Sequence, residues 1–399
     1  MCGIAGIITI KNSKIDSTVV ENVKRSLEHR GPDHSSHQFI KESVCLIHTR
    51  LSIIDLNDRS NQPFQSNDER YTIVFNGEIY NYKELRKELE TKGHKFITNG
   101  DTEVLLQGYI EYEEKILNKL RGQFAFVIYD KITNELFMAR DRIGIKPLYY
   151  SVNDNWILFG SEIKAIELSK LIEFEPDIDS YLAYLRHICV PADSTGNKNI
   201  KKLEPGQFIR IDKNGKISKK IYWDPFTFSV NHDLNEKNVV EELDRLLNES
   251  VEYRKVSDVE VGLFLSGGLD SSLLGKLMKK NSDSSLKAFN VDFEENFEGY
   301  KGELKEARFA SSEIGINLNE EKINFDNFKE IFNNYAYYQD DLVGDEVGIP
   351  LYFLGKSSRS SGIKVVLVGE GSDELFYGYD HWNRLLKLSK YKKQYSYTN

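Results

Sequence analysis

The sequence predicts an α+β domain followed by an α/β domain, and three observations carry that division. The first half reads as short alternating or wholly apolar runs around a few helical stretches. The second half alternates strand, helix, strand and helix, the order that builds a parallel sheet covered by helices. Between them, residues 229–238 form a polar stretch that reads as a linker, dividing the chain into domains at 2–228 and 239–399. A chain of 399 residues is also too long for one ordinary hydrophobic core.

In the first half, apolar runs at 45–54, 71–75, 123–129 and 135–139 predict strands. Helical periodicity marks 82–89 and 103–112. Residues 206–211 and 217–223 predict a hairpin around Asp212-Lys213-Asn214-Gly215, because an Asn-Gly step accepts the positive φ angles of a tight turn. Beyond the linker a helix at 239–253 leads to an apolar strand at 259–265, a Gly-rich loop and a helix through Met278. A strand at 286–291, helices at 303–313 and 349–357, and a buried strand at 364–368 follow, the last ending in a second Gly-rich loop. Ligands of parallel sheets sit beyond the carboxyl ends of the strands, where both loops fall.

Composition narrows the function classes. The net charge of -9 argues against a general binder of nucleic acid or anionic membranes, since phosphate recognition relies on clustered Lys and Arg. The basic stretch 387–393 reads as a solvated helix face. Three cysteines, Cys2, Cys45 and Cys189, are widely spread without metal-ligand spacing, which points to a reducing compartment, the cytoplasm. No secretory leader pattern opens the chain and no apolar run reaches membrane-spanning length.

Two regions carry chemistry. Removal of Met1 would leave Cys2 with its thiol and a free α-amine on one residue, a compact pairing of nucleophile and base. The amine of such a residue has an ordinary pKa of about 7.7 to 8.0 and accepts a proton near neutrality. Position alone favours the plainer reading, a cysteine that follows the initiator by chance. In the second half, Ser266-Gly267-Gly268-Leu269-Asp270-Ser271-Ser272 joins a strand to a helix, so its backbone amides can form an anion nest at the helix N-terminus. It lacks the Gly-Lys-Ser/Thr ending of a Walker A loop. The second loop, Gly369-Glu370-Gly371-Ser372-Asp373-Glu374, also follows a buried strand. Asp270 and Asp373 are candidates to hold one Mg²⁺ on phosphate oxygens, an ion that takes one or two carboxylates in such sites. The bland alternative for Asp373 and Glu374 is favourable placement at a helix start.

The segments Met1 to Gly6, His29-Arg30-Gly31-Pro32-Asp33, Asn76-Gly77-Glu78, Arg140-Asp141-Arg142, Ser266 to Ser272 and Gly369 to Glu374, in this order, resemble the glutamine-hydrolysing asparagine synthetases. The resemblance spans almost the whole chain. It implies an N-terminal nucleophile glutaminase domain, an αββα sandwich, joined to an ATP-pyrophosphatase domain. By the resemblance Cys2 attacks the glutamine amide, and Asn76 and Gly77 stabilise the oxyanion. Arg50 clamps the α-carboxylate, Asp101 holds the α-ammonium, and Leu51, Ser52, Ile53, Ile54 and Glu78 complete the pocket. ATP then adenylates the β-carboxylate of aspartate, and ammonia displaces AMP. Phe264, Leu265, Val291, Val368 and Gly369 match nucleotide contacts beside the Ser266 to Ser272 loop. Glu370 matches the glutamate implicated in adenylate formation. The segment 140–150 reads as mainly structural.

Three departures qualify this expectation. Val368 stands where a serine often precedes Gly-Glu-Gly, Asp340-Asp341-Leu342-Val343 replaces the usual Asp-Glu-Pro, and the sequence ends at Asn399 before a recognisable lysine-bearing helical region. The expectation is therefore a synthetase using glutamine, aspartate and ATP, the sequence being either a fragment of a longer chain or a shortened member with altered activity. The alternatives are an amidotransferase for another carboxylate, such as a sugar acid, and a glutaminase-only or regulatory protein. A homodimer is compatible with the pattern, which does not fix oligomeric state.

Overall fold

The structure, a computed structural model, describes residues 1–11, 13–229, 235–280, 285–294, 302–345 and 347–395. It divides into two compact units, Met1–Glu236 with Asn333–Glu346, and Lys237–Phe332 with Val347–Asn399.

The first unit contains strands β1 (Gly3–Thr9), β2 (His34–Lys41), β3 (Val44–Arg50), β4 (Phe64–Gln65), β5 (Tyr71–Ile79), β6 (Gly122–Asp130), β7 (Glu135–Arg140), β8 (Tyr149–Val152), β9 (Trp156–Gly160), β10 (Lys201–Lys202), β11 (Gln207–Ile211) and β12 (Ile217–Ile221). They form two six-stranded sheets, ordered β10-β8-β9-β1-β3-β2 and β12-β11-β7-β6-β5-β4. Every named pairing within them is antiparallel. The period-two alternation of β1 explains its place between layers. Ile4 and Ile8 join Val44, Leu46, Val74, Val127 and Met138 in the core between the sheets. Ala5 and Ile7 point the other way, packing with Cys45 and Ile47 under Val20, Val23, Ile163 and Ile166 of the helices Ser17–Ser26 and Ile163–Glu167. Helix Asp101–Tyr112 covers the second sheet, where the Tyr109 and Phe137 rings pack 4.9 Å apart. The result is the expected αββα sandwich.

The hairpin arises where the turn residues place it. Gly215 has φ +80, and the Asp212 carboxylate accepts from the amides of Asn214 and Lys216 at 2.8 and 2.9 Å. Two strand boundaries differ from the sequence reading. The run 45–54 stops as a strand at Arg50, because the Arg50 guanidinium gathers the carbonyls of Ile54, Asp55 and Asn57 around itself and folds 51–57 into a loop. The run 71–75 extends to Ile79, which places Asn76, Gly77 and Glu78 inside a central strand.

The second unit holds a four-stranded parallel sheet: β13 (Val261–Phe264), β14 (Lys287–Phe293), β15 (Asn317–Ile323) and β16 (Val365–Leu367), ordered β15-β14-β13-β16. Leu263, Leu265, Ala288 and Leu367 meet Leu277, Met278 and Ala310 of the covering helices. Strand β15 was not foreseen from the sequence. Its NLNEEKI run is polar because it lies at the sheet edge, where Glu320 pairs with Arg308 at 2.6 Å. The chain runs from β13 outward through β14 and β15, then returns to the opposite side of β13 as β16. That reversal creates a switch point at the carboxyl ends of β13 and β16.

The second domain departs from an unbroken 239–399, because 333–346 pack with the first unit. The proposed linker 229–238 lies partly outside the described residues, at 230–234, and the following helix begins at Glu236.

Candidate active sites

At the first site, β1 and β3 run side by side and bring Cys2 against the residue after Arg50. The Leu51 amide donates to Cys2 Sγ at 3.4 Å, and the thiol donates to the Leu51 carbonyl at 3.7 Å. Burial pushes the Cys2 thiol up, while the nearby terminal amine, the Leu51 amide, Arg50 and Lys146 act to lower it. Burial also lowers the Met1 amine to about 5.

Asn76 is only 1% exposed, and neither its amide nitrogen nor its amide oxygen has a hydrogen-bond partner among the described residues. A buried polar group left in this state costs about 1–3 kcal/mol, so its retention in the centre of a sheet calls for a ligand. Gly77 is fixed by close approach: a Cβ there would lie 2.2 Å from the Gln123 carbonyl on β6. Glu78 and Lys146 are both buried, which raises the carboxyl and lowers the ammonium, and each feels the other's charge. Asp101 begins its helix rather than capping it; Gly100 is the N-cap, and the Asp101 carboxylate accepts from the Ile79 amide at 2.9 Å. Burial raises Asp101 to about 7.

The Arg50 guanidinium donates to the Asn57 carbonyl at 3.0 Å, to Asn61 Oδ1 at 2.7 Å, and to the Ile54 and Asp55 carbonyls. Its immediate work is to shape the loop carrying Leu51, Ser52, Ile53 and Ile54. Asp33 secures the same loop by accepting from the Ser52 amide at 2.8 Å. Ile54 is buried, and Leu51, Ser52 and Ile53 are half-buried. In the 140–150 segment, Arg140 donates to the carbonyls of Gly144, Lys146 and Leu203, and Asp141 accepts from the amides of Phe124, Ile143, Ile145 and Lys146.

Sequence reading left two contributors unassigned. Arg30 donates from Nε to the Cys2 carbonyl at 3.0 Å and from Nη1 to Glu162 at 2.9 Å. Arg30 lies in the quoted His-Arg-Gly-Pro-Asp motif, which was signal enough to suspect it. Glu162 carries no local signal, because its partners are far away in sequence.

At the second site, both Gly-rich loops occupy the switch point. Ser266 Oγ and Ser271 Oγ lie 2.9 Å apart, and the Gly268 amide donates to Ser266 Oγ at 3.2 Å. Gly267 has φ +86, and a Cβ there would meet the Glu306 and Ala307 backbone at 2.3 and 2.4 Å, so glycine meets both a conformational and a steric demand. A Cβ on Gly369 would lie 3.0 Å from the Ser271 amide, which places the second loop directly beside the helix start Leu269–Lys280. Leu265 is buried in the sheet, so it meets a ligand only through its main chain; its carbonyl already accepts from Asn290 at 2.9 Å. Phe264 and Val291 are half-buried on neighbouring strands, whereas Val368, Leu269 and Glu370 are exposed. Ser272 donates its amide to the Gly268 carbonyl at 3.0 Å, as the first helical turn requires.

Asp270 is raised by burial and by the negative charge of Asp373. Two carboxylates that repel in this way fit a shared divalent cation. Among the described residues no group of three or more metal-ligating side chains occurs, so a cation here would take its other ligands from phosphate and water.

Residues 1–223 match the glutamine amidotransferase domain family, and residues 242–398 match the asparagine synthase family. This chain belongs to the asparagine synthase family of glutamine amidotransferases. It is 37% identical over 396 residues to asparagine synthetase [glutamine-hydrolyzing] 1 of Bacillus subtilis, covering 98% of this chain and 61% of that protein. It is 35% identical over 388 residues to a putative asparagine synthetase of Mycobacterium tuberculosis, covering 93% and 58%. Amidase chry2 of Gibberella zeae is 33% identical over 410 residues, covering 95% and 60%. The chain thus spans about three-fifths of the length of these family members. No helix among the described residues is long and apolar enough to cross a membrane.

Proposed function

We propose that this family member hydrolyses glutamine at Cys2 and uses the ammonia, with ATP, to amidate a carboxylate, aspartate in the leading reading. The observation that carries the first half is the buried Asn76 side-chain amide, neither atom of which has a hydrogen-bond partner among the described residues. Loss of Met1 leaves an α-amine on Cys2, which takes the thiol proton as Sγ attacks the side-chain carbonyl of glutamine and returns it to the leaving nitrogen. The amide nitrogen of Asn76 and the backbone N–H of Gly77 receive the oxyanion. Collapse of the tetrahedral intermediate expels ammonia and leaves a glutamyl thioester, which water hydrolyses to glutamate.

In this reading Asp101 holds the substrate α-ammonium, and Arg50, which also shapes the 51–57 loop, clamps the α-carboxylate. Only ionised Asp101 attracts that ammonium. Because burial raises its pKa to about 7, the attraction is present above this value and lost below it. The apparent KM for glutamine is expected to rise as pH falls from 8 to 6, approaching tenfold per unit at the acid end. Asp101→Asn should raise KM across the range and flatten the profile. A wild-type KM independent of pH over this interval excludes Asp101 from that role.

In the second unit, the 266–272 loop is suited to pyrophosphate, with Glu370 beside the reacting carboxylate. Mg²⁺ held by Asp270 and Asp373 would neutralise phosphate charge there. The nested serines, the helix N-terminus and the family membership support this reading. Pyrophosphate release measured with a panel of carboxylates tests it: stimulation by aspartate above the others is expected. Stimulation by a different acid would favour the other-carboxylate reading, to which the match with a fungal amidase lends weight. Release of ammonia without any pyrophosphate would leave a glutaminase alone.

A further inference from the structure

The short loop between β9 and the helix Ile163–Glu167 is bound on both of its sides, by β1 and Arg30 on one and by the 333–346 segment of the same unit on the other. Towards the nucleophile, Ser161 exchanges two bonds with β1: the Ile4 amide donates to Ser161 Oγ at 3.0 Å, and the Ser161 amide donates to the Ile4 carbonyl at 2.9 Å. The next residue, Glu162, accepts from Arg30 at 2.9 Å while the same guanidinium holds the Cys2 carbonyl at 3.0 Å. His29 Nε2 also lies 3.0 Å from the Glu162 carboxylate. Burial opposes the charge on Glu162, but His29, Arg30 and Lys164 outweigh it and hold the carboxyl at about 2. It is therefore ionised throughout the working pH range.

On the far side the loop is gripped by the 333–346 segment, whose chain is continuous at both ends with the second unit. Asp340 accepts from the backbone amides of Ile163 and Lys164. Lys164 Nζ bridges the two carboxylates, 2.5 Å from Glu162 and 3.5 Å from Asp340, and donates to the Tyr337 carbonyl at 2.6 Å. The side chains of Glu162, Lys164 and Asp340 are 6%, 10% and 7% exposed, so these bonds are shielded from competing water. Asp340 itself sits at φ +62, a left-handed conformation that aspartate tolerates, at the end of the helix Phe325–Gln339.

We propose that Glu162 and Asp340 are positioning residues for Cys2, with Asp340 fixing the 161–164 loop and Glu162 passing that placement through Arg30 to the Cys2 carbonyl. Neither touches substrate. The glutaminase nucleophile is thus set by a segment some three hundred residues along the chain, bracketed by the nucleotide-binding unit. This inference rests on the reading of Cys2 as the nucleophile. It explains why Asp340-Asp341, where relatives by resemblance carry Asp-Glu-Pro, belongs structurally to the first unit: Asp341 anchors the same segment through Lys202 at 2.6 Å and the Tyr149 hydroxyl at 3.0 Å.

A double-mutant cycle on glutamine hydrolysis in the full chain tests the relay. Glu162→Gln and Asp340→Asn should each lower kcat about tenfold or more with KM within about threefold of wild type, since misplacement of the reacting atom acts on the transition state. The double variant should match the poorer single variant rather than the product of the two. If Asp340→Asn does not fold, Lys164→Met interrupts the same link while keeping an apolar stem against Tyr337, and should give the same fall in kcat. An Asp340→Asn or Lys164→Met enzyme with wild-type kcat, or effects that multiply, overturns the relay while leaving the glutaminase reading intact. A wild-type chain that releases no Cys2-dependent ammonia overturns both.

Discussion

Cys2→Ala is expected to remove glutamine-dependent ammonia release, lowering kcat by at least about 10³-fold, because the proposed thioester forms on the Cys2 thiol. Ammonia supplied directly should still support the proposed amidation, which the reading above assigns to the 266–272 and 369–374 loops of the second unit. The contrast separates loss of the nucleophile from loss of the fold. Cys2 is only half-buried, and its thiol bonds reach only the Leu51 peptide unit. The substitution should therefore leave thermal stability close to wild type. Equal ammonia release by wild type and Cys2→Ala would place hydrolysis elsewhere. The other cysteines are poor substitutes: Cys45 is buried between β3 and the outer helices with its thiol pushed up to about 12, and Cys189 lies exposed.

Asn76→Ala should lower kcat by about 10²–10³, with KM little changed, as loss of one oxyanion donor does in comparable sites. Structural damage predicts a different pattern. Neither amide atom of Asn76 is satisfied by the protein among the described residues, so truncation removes an unpaired buried group and forfeits no bond. Stability should be unchanged or slightly higher, the opposite of a core truncation, which costs about 2–5 kcal/mol. Thermal unfolding and steady-state kinetics on the same preparation distinguish the cases. A destabilised variant with normal kcat would make Asn76 a packing residue.

What could be read from the sequence depended on whether the determining interactions were local. The β1 alternation, the Asn214-Gly215 turn and the strand–loop–helix at 261–280 declare themselves within a few residues, and each formed as the spacing requires. Strand β15 escaped notice because an edge position removes the apolar signal. The end of β3 escaped because it is decided by where one buried guanidinium finds its acceptors. In the first site, Cys2 and the Asn-Gly-Glu triplet were legible as motifs, but the support behind them was not. Arg30, Glu162, Lys164 and Asp340 meet only after the sandwich has closed, and no window of sequence contains their ion pairs. Arg50 carries a part that no motif shows: beside the substrate contact its family resemblance implies, its guanidinium holds the loop that follows β3.

The most direct test of the central claim is covalent. Incubation of the full chain with a diazoketone analogue of glutamine, followed by intact and peptide mass analysis, should give one adduct, on an N-terminal Cys2 freed of Met1. Excess glutamine should protect it, and Cys2→Ala should not react. An unmodified Cys2 peptide, or an adduct confined to Cys45 or Cys189, would contradict the assignment of Cys2 as the glutamine-attacking nucleophile.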